Sequence, residues 1–82
     1  MSYEIYKQTM EDRGMPVIAV RAVYESGYSA GYALLQTGAD FAIQRISGSF
    51  EHVRMVSVHR TFADAAEALL THYNRECGID KV

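Results

Sequence analysis

Thr61-Phe62-Ala63-Asp64-Ala65-Ala66-Glu67-Ala68-Leu69-Leu70 decides the fold, because it sets a helix start directly after strand-like sequence. The Thr61 hydroxyl is spaced to accept a hydrogen bond from the Asp64 amide, and the Asp64 carboxylate to accept one from the Thr61 amide. The alanines and leucines that follow lose little rotamer freedom in a helix. Phe62, Ala66, Leu69, Leu70, Tyr73 and Cys77 recur at helical spacing and give one apolar stripe. Gly78 then supplies a C-terminal stop, since glycine adopts the left-handed conformation at no steric cost. The spacing therefore predicts a C-terminal helix whose apolar stripe must pack on whatever precedes it.

What precedes it reads as strands. Tyr3 to Met10 is read as a first strand by the alternation of Tyr3 and Ile5 against Tyr6, with Glu11-Asp12-Arg13-Gly14 as a hairpin connection. Pro16 can begin a strand but cannot sit inside a central one. Val17 to Glu25 is the strongest strand, with Ile18, Val20, Ala22 and Tyr24 on one apolar face. Its other face (Val17, Ala19, Arg21, Val23) is mixed, which implies a sheet covered mainly on one side. Residues 26–36 are ambiguous. Gly27 and Gly31 favour a loop followed by a strand from Tyr32 to Gln36, whereas Tyr24, Tyr28, Tyr32 and Leu35 also fit a short helix capped by Ser26. Thr37-Gly38-Ala39-Asp40 is a turn, Phe41 to Ile46 a strand, Ser47-Gly48-Ser49 a turn, and Val53 to His59 the last strand. Val53 and Met55 alternate in one phase and Val56 and Val58 in the other, which a bulge near Met55 reconciles. Residues Ile79 to Val82 form a tail. The expected architecture is α+β: an antiparallel four- to five-stranded sheet with one C-terminal helix packed on one face.

The chain has 82 residues and reads as a single α+β domain. A domain this small buries roughly 60–65% of its unfolded surface, so its core is limited. Apolar residues make up 49% of the sequence, enough for a globular core and too many for disorder. The formal net charge of −2 gives no global attraction to nucleic acid or acidic membrane. A locally basic segment, Phe41 to Arg60 with Arg45, Arg54 and Arg60, lies between two acidic ones. Cys77 is the single cysteine, so no internal disulfide can form, and a reducing, cytoplasmic setting is expected. No basic-then-apolar leader opens the chain, and no apolar run approaches the roughly 20 residues that span a bilayer.

Catalytic and metal-binding patterns are sparse. His52 and His59 lie seven residues apart and share a strand face only if a bulge intervenes, while His72 falls toward the polar side of the helix. No spacing prearranges metal ligands, so neither a metal nor another cofactor is expected. Cys77 sits in the last helical turn, where the dipole disfavours a thiolate, and reads as a buried structural thiol. Ser57 and His59 share a strand face without forming a recognisable dyad. Gly27 and Gly31 match neither a dinucleotide fingerprint nor a phosphate loop. No enzyme is expected.

The remaining signal is surface chemistry. Tyr24, Tyr28 and Tyr32 cluster around a glycine-rich connection, and tyrosine concentrates at binding hot spots because it offers a large contact area with few rotatable bonds. Arg45, Arg54 and Arg60 offer forked contacts suited to protein or phosphate partners. These six residues are the expected binding set. The expected function is a small non-catalytic protein-binding module. By analogy of size and architecture with anti-CRISPR proteins, it reads as a phage or mobile-element inhibitor of a host complex. Sheet edges with few lysines or prolines also favour a homodimer. Two alternatives stand beside this reading: a self-associating accessory subunit and a nucleic-acid-binding domain. The meander leading into Arg60-Thr61-Phe62-Ala63-Asp64-Ala65-Ala66-Glu67-Ala68 resembles the end of the AP2/integrase arm-type DNA-binding domains, which run strand-strand-strand-helix. The resemblance covers the last two strands and the helix, and implies a sheet laid on DNA. The chain departs from those domains in its acidity and in lacking a dense basic row, so the discriminating question is whether Arg21, Arg45, Arg54 and Arg60 share one exposed face.

Overall fold

The computed structural model describes residues 3–25, 28–47 and 52–77, with side chains at all of these except 22–25, 28–30 and 77. The elements run α1 (Tyr3–Asp12), β1 (Val17–Glu25), β2 (Tyr28–Thr37), β3 (Asp40–Ser47), β4 (His52–His59) and α2 (Phe62–Cys77). The strands form one antiparallel sheet in the order β1-β2-β3-β4, a simple meander. The fold is therefore α+β, with a helix at each end of the chain.

The N-terminal segment corrects the sequence reading: residues 3–12 are helix, not strand. The alternation of Tyr3 and Ile5 misleads, because both are exposed while Tyr6 and Met10, one helical turn apart, are buried. The helix also has local support, with Gln8 Nε2 donating to Asp12 Oδ1 at 2.8 Å. The hairpin expected at residues 11–14 is instead a helix stop. Gly14 has a φ of 77°, its amide donates to the Glu11 carbonyl, and the Met15 amide donates to the Met10 carbonyl. Those two bonds and the left-handed glycine form a Schellman motif. A polar run ending in glycine serves a hairpin and a helix C-terminus equally well.

Adding α1 changes the layering. The sheet is covered on both faces rather than mainly on one. Alternate residues of β2 sort accordingly. Ala33 and Leu35 pack with Tyr6 and Met10 of α1 and Ile46 of β3, whereas Tyr32 and Leu34 pack with Ile43 and with Ala65 and Leu69 of α2. A strand buried on both sides reads as a nearly continuous apolar run, which is why 26–36 looked ambiguous. The strand reading holds over Tyr32 to Gln36, but the strand begins already at Tyr28, so residues 28–31, expected as loop, pair with β1 instead. On the α1 side the Tyr6 hydroxyl donates to Gln44 Oε1 at 2.7 Å, which satisfies a buried amide oxygen between helix and sheet.

Two bulges set the side-chain phases. In β1, Val17 pairs with Leu35 and Ala19 with Leu34, leaving Ile18 as the extra residue. Val17 therefore joins Val20 against the α1 cluster and Ile18 is exposed, so the continuous face expected from Ile18 through Tyr24 is broken at its first member. In β4, Ile43 pairs with Ser57 and Gln44 with Met55, leaving Val56 unpaired. This is the bulge expected near Met55.

The β2–β3 hairpin closes through Gly38 and Ala39 between the paired residues Thr37 and Asp40. Gly38 has a φ of 62°, the positive value that the first position of such a two-residue loop requires. At the start of α2 the Asp64 amide donates to Thr61 Oγ1 at 3.1 Å and the Ala65 amide to the Thr61 carbonyl at 3.1 Å, so the expected cap forms through its Thr61 arm and not through the reciprocal Asp64 carboxylate. The apolar stripe of α2 is narrower than its spacing implies. Ala65 and Leu69 are buried, whereas Phe62 and Leu70 are exposed. Gly78, the tail at 79–82, the turn at 48–49, the Ser26 cap and the Cys77 side chain lie outside the described residues.

Candidate functional site

The strand β4 combines the features that can do work at the surface. It is an edge of the sheet, and among the described residues it pairs only with β3. Its bulge sorts its side chains by polarity. Val53, Met55 and Val58 face the α1 side of the sheet, as their partners Ile46, Gln44 and Ala42 show. Yet α1 packs at the β1 end, and these three remain 39%, 47% and 56% exposed. An edge strand with an apolar face and unpaired backbone groups is a template for another chain. Its sequence carries no proline and no lysine to blunt it.

The opposite side of β4 is polar. Arg21 pairs with Tyr32, Tyr32 with Arg45, and Arg45 with Arg54, so one row crosses all four strands on the α2 side. The row is not a bare basic surface. Arg45 donates from Nε (3.0 Å) and Nη2 (2.6 Å) to Glu76 Oε1 near the end of α2. Beyond Arg45 lies a cavity of about 280 Å³ lined by Arg45 and Ser47 of β3 and by His52, Val53 and Arg54 of β4.

A second polar cluster joins β4 to α2. Ser57 Oγ lies 2.9 Å from His59 Nε2 and 3.5 Å from His72 Nε2, and the His72 ring stacks on Tyr32 with centroids 5.6 Å apart. The sequence pairing of Ser57 with His59 is thus a real contact, completed by a helical histidine that the sequence pattern placed on the polar side. For acyl-transfer chemistry the base needs a third group to orient it, and among the described residues neither ring is hydrogen-bonded to a carboxylate. No group of three or more His, Cys, Asp or Glu among the described residues is arranged to hold a metal ion.

Burial lowers the His72 pKa below 6.5, with Arg75 and then His59 adding repulsion in the same direction. A histidine whose folded pKa is depressed contributes stability above its unfolded value, and that stability is lost as pH falls through the folded one. The thermal midpoint should therefore drop as pH is lowered below about 6.5. A His72→Gln variant should show a shallower drop over the same range, and equal slopes in the two proteins would remove His72 as the cause.

Of the six residues expected to bind, the structure brings Arg45 and Arg54 together across β3 and β4. Tyr32 sits beneath α2 as a core residue, and Arg60 follows the end of β4. The side chains of Tyr24 and Tyr28 lie outside the described residues. The sequence reading missed the apolar side of β4. The two-phase pattern of Val53, Met55, Val56 and Val58 carried that signal, and the bulge was needed to read it. Compared with protein-family models, curated proteins and solved structures, the chain finds no match. No helix among the described residues is long and apolar enough to cross a membrane.

Proposed function

We propose that this chain is a non-catalytic protein-binding module that docks through the outer edge and apolar side of β4. The observation that supports this reading is the exposure of Val53, Met55 and Val58 in a row on an edge strand. Main-chain groups along such an edge give affinity to an added strand, and alternate side chains give it selectivity. The mobile-element inhibitor reading extends this proposal by analogy of size and architecture. The nucleic-acid alternative draws no support from the arginine row, which lies on the face that α2 crosses and has Arg45 held by Glu76.

The test is a photo-cross-linking residue at Val53, used in lysate of the native host to identify a partner, followed by measurement of binding with both proteins purified. Met55→Lys places a charge in the apolar row at an exposed position, so the fold is retained and circular dichroism checks it. A loss of affinity of about tenfold or more is expected, which is the scale for a hot-spot residue. Unchanged affinity in Met55→Lys would refute the proposed surface. Tight nucleic-acid binding that falls steeply with salt would refute the function itself.

A further inference from the structure

We infer that the cavity between β3 and β4 is a binding site for a small oxyanion, a phosphate or carboxylate group, held between Arg45 and Arg54. The register sets these two guanidinium-bearing residues directly opposite each other, and sets Ser47 opposite His52. Like charges directly across a strand pair are unfavourable, so this pairing persists at a cost unless an anion lies between them. Glu76 supplies part of that compensation. Both of its hydrogen bonds from Arg45 go to the single oxygen Oε1, which orients the Arg45 guanidinium. Arg54 has no ion-pair partner among the described residues. Arg54 is exposed on β4, so its guanidinium fork can turn to an anion in the cavity.

The remaining lining suits the same chemistry. A guanidinium presents a planar fork that matches carboxylate and phosphate oxygens, and the Ser47 hydroxyl and His52 imidazole offer further donors. The cavity of about 280 Å³ lies near the lower end of ligand pockets, enough for one oxyanion on a short organic stem. Arg45, Ser47, His52 and Arg54 lie on the α2 side of the strand pair, and Val53 is the one member of the apolar row that also lines the cavity. The inference does not depend on the partner-binding reading.

The probes are inorganic phosphate and acetate, titrated separately at constant ionic strength with chloride as the balancing ion. The readout is the backbone amide and arginine Nε–H resonances. Saturable shifts confined to β3 and β4 around Arg45 and Arg54 are expected. Saturation by phosphate alone assigns a tetrahedral ligand, and saturation by both assigns oxyanions generally. Arg54→Gln should weaken binding about tenfold, the scale of a charge-assisted hydrogen bond. Arg21→Gln, at the far end of the same row, should leave binding unchanged. Shifts that never saturate with either probe would overturn the inference. So would equal affinities in wild type and Arg54→Gln, with thermal midpoints confirming that both are folded.

Discussion

Leu69→Ala should cost about 2–5 kcal/mol of folding stability, while the same change at the neighbouring Leu70 should cost less than about 1 kcal/mol. The two leucines are 5% and 43% exposed. Leu69 fills the space between α2 and the Tyr32, Leu34 and Ile43 side chains of the sheet, and truncating it leaves a cavity that the sheet cannot close. Leu70 has solvent on one side already. For 82 residues the whole stability is about 4–12 kcal/mol, so Leu69→Ala should remove a large share of it. Urea denaturation of the two variants measures the difference directly, and similar midpoints would mean that α2 does not dock as described.

Tyr6→Phe tests the other layer. It removes the donor to Gln44 Oε1 and leaves a buried amide oxygen without a partner, at a cost of about 1–3 kcal/mol. Gln44→Leu together with Tyr6→Phe should cost less than the sum of the two single changes, because neither partner is then orphaned. Tyr6 also has a pH signature. Burial, with a smaller contribution from Tyr3, raises its pKa above the ordinary tyrosine value of 10.0. A folded pKa above the unfolded one means stability that is intact below the unfolded value and lost as pH rises beyond it. Alkaline destabilisation should therefore begin above about pH 10 in the wild type and be shallower in Tyr6→Phe. Tyr32 contributes in the same direction, since burial first and Glu76 second raise its pKa as well, with Arg45 opposing. Some alkaline slope should therefore survive in the variant. A Tyr6→Phe protein as stable as wild type at neutral pH would show that the bond to Gln44 does not form.

Much of the sheet and α2 was legible because each signal had one meaning. Thr61 and Asp64 at capping spacing mark a helix start and little else, and Gly38 between two apolar runs marks a tight hairpin. The failures came where one pattern serves two structures. Tyr3, Ile5 and Tyr6 alternate over too short a span to distinguish period 2 from period 3.6, and Met10 was the residue that broke the tie. Gly14 closes a Schellman motif as readily as a hairpin. The exposure of Phe62 and Leu70 was not legible, because helical spacing gives the direction of a stripe but not how much sheet lies beneath it. Ring packing explains part of what happened at Phe62, whose ring meets Phe41 edge-on at 5.9 Å rather than entering the core.

The candidate sites were less legible than the fold. Arg45 and Arg54 are nine residues apart, and only the β3–β4 register makes them neighbours. The same holds for the contact of Ser57 with His72, which joins residues from two elements.

The extra residue at Val56 also determines how β4 can meet its own copy. Two identical, strictly alternating strands pair antiparallel about a two-fold axis only when the axis passes through a residue, since facing side chains must lie on the same side of the sheet. On β4 such an axis would set Arg54 or Met55 against itself. The one-residue insertion shifts the phase, so the residues flanking the bulge match in side about an axis midway between Met55 and Val56, with only those two residues meeting from opposite sides. About that axis Val53 faces Val58, Arg54 faces Ser57 and His52 faces His59 of the other copy. Like charges are kept apart and valines meet, so a single inserted residue makes this edge compatible with its own symmetry mate.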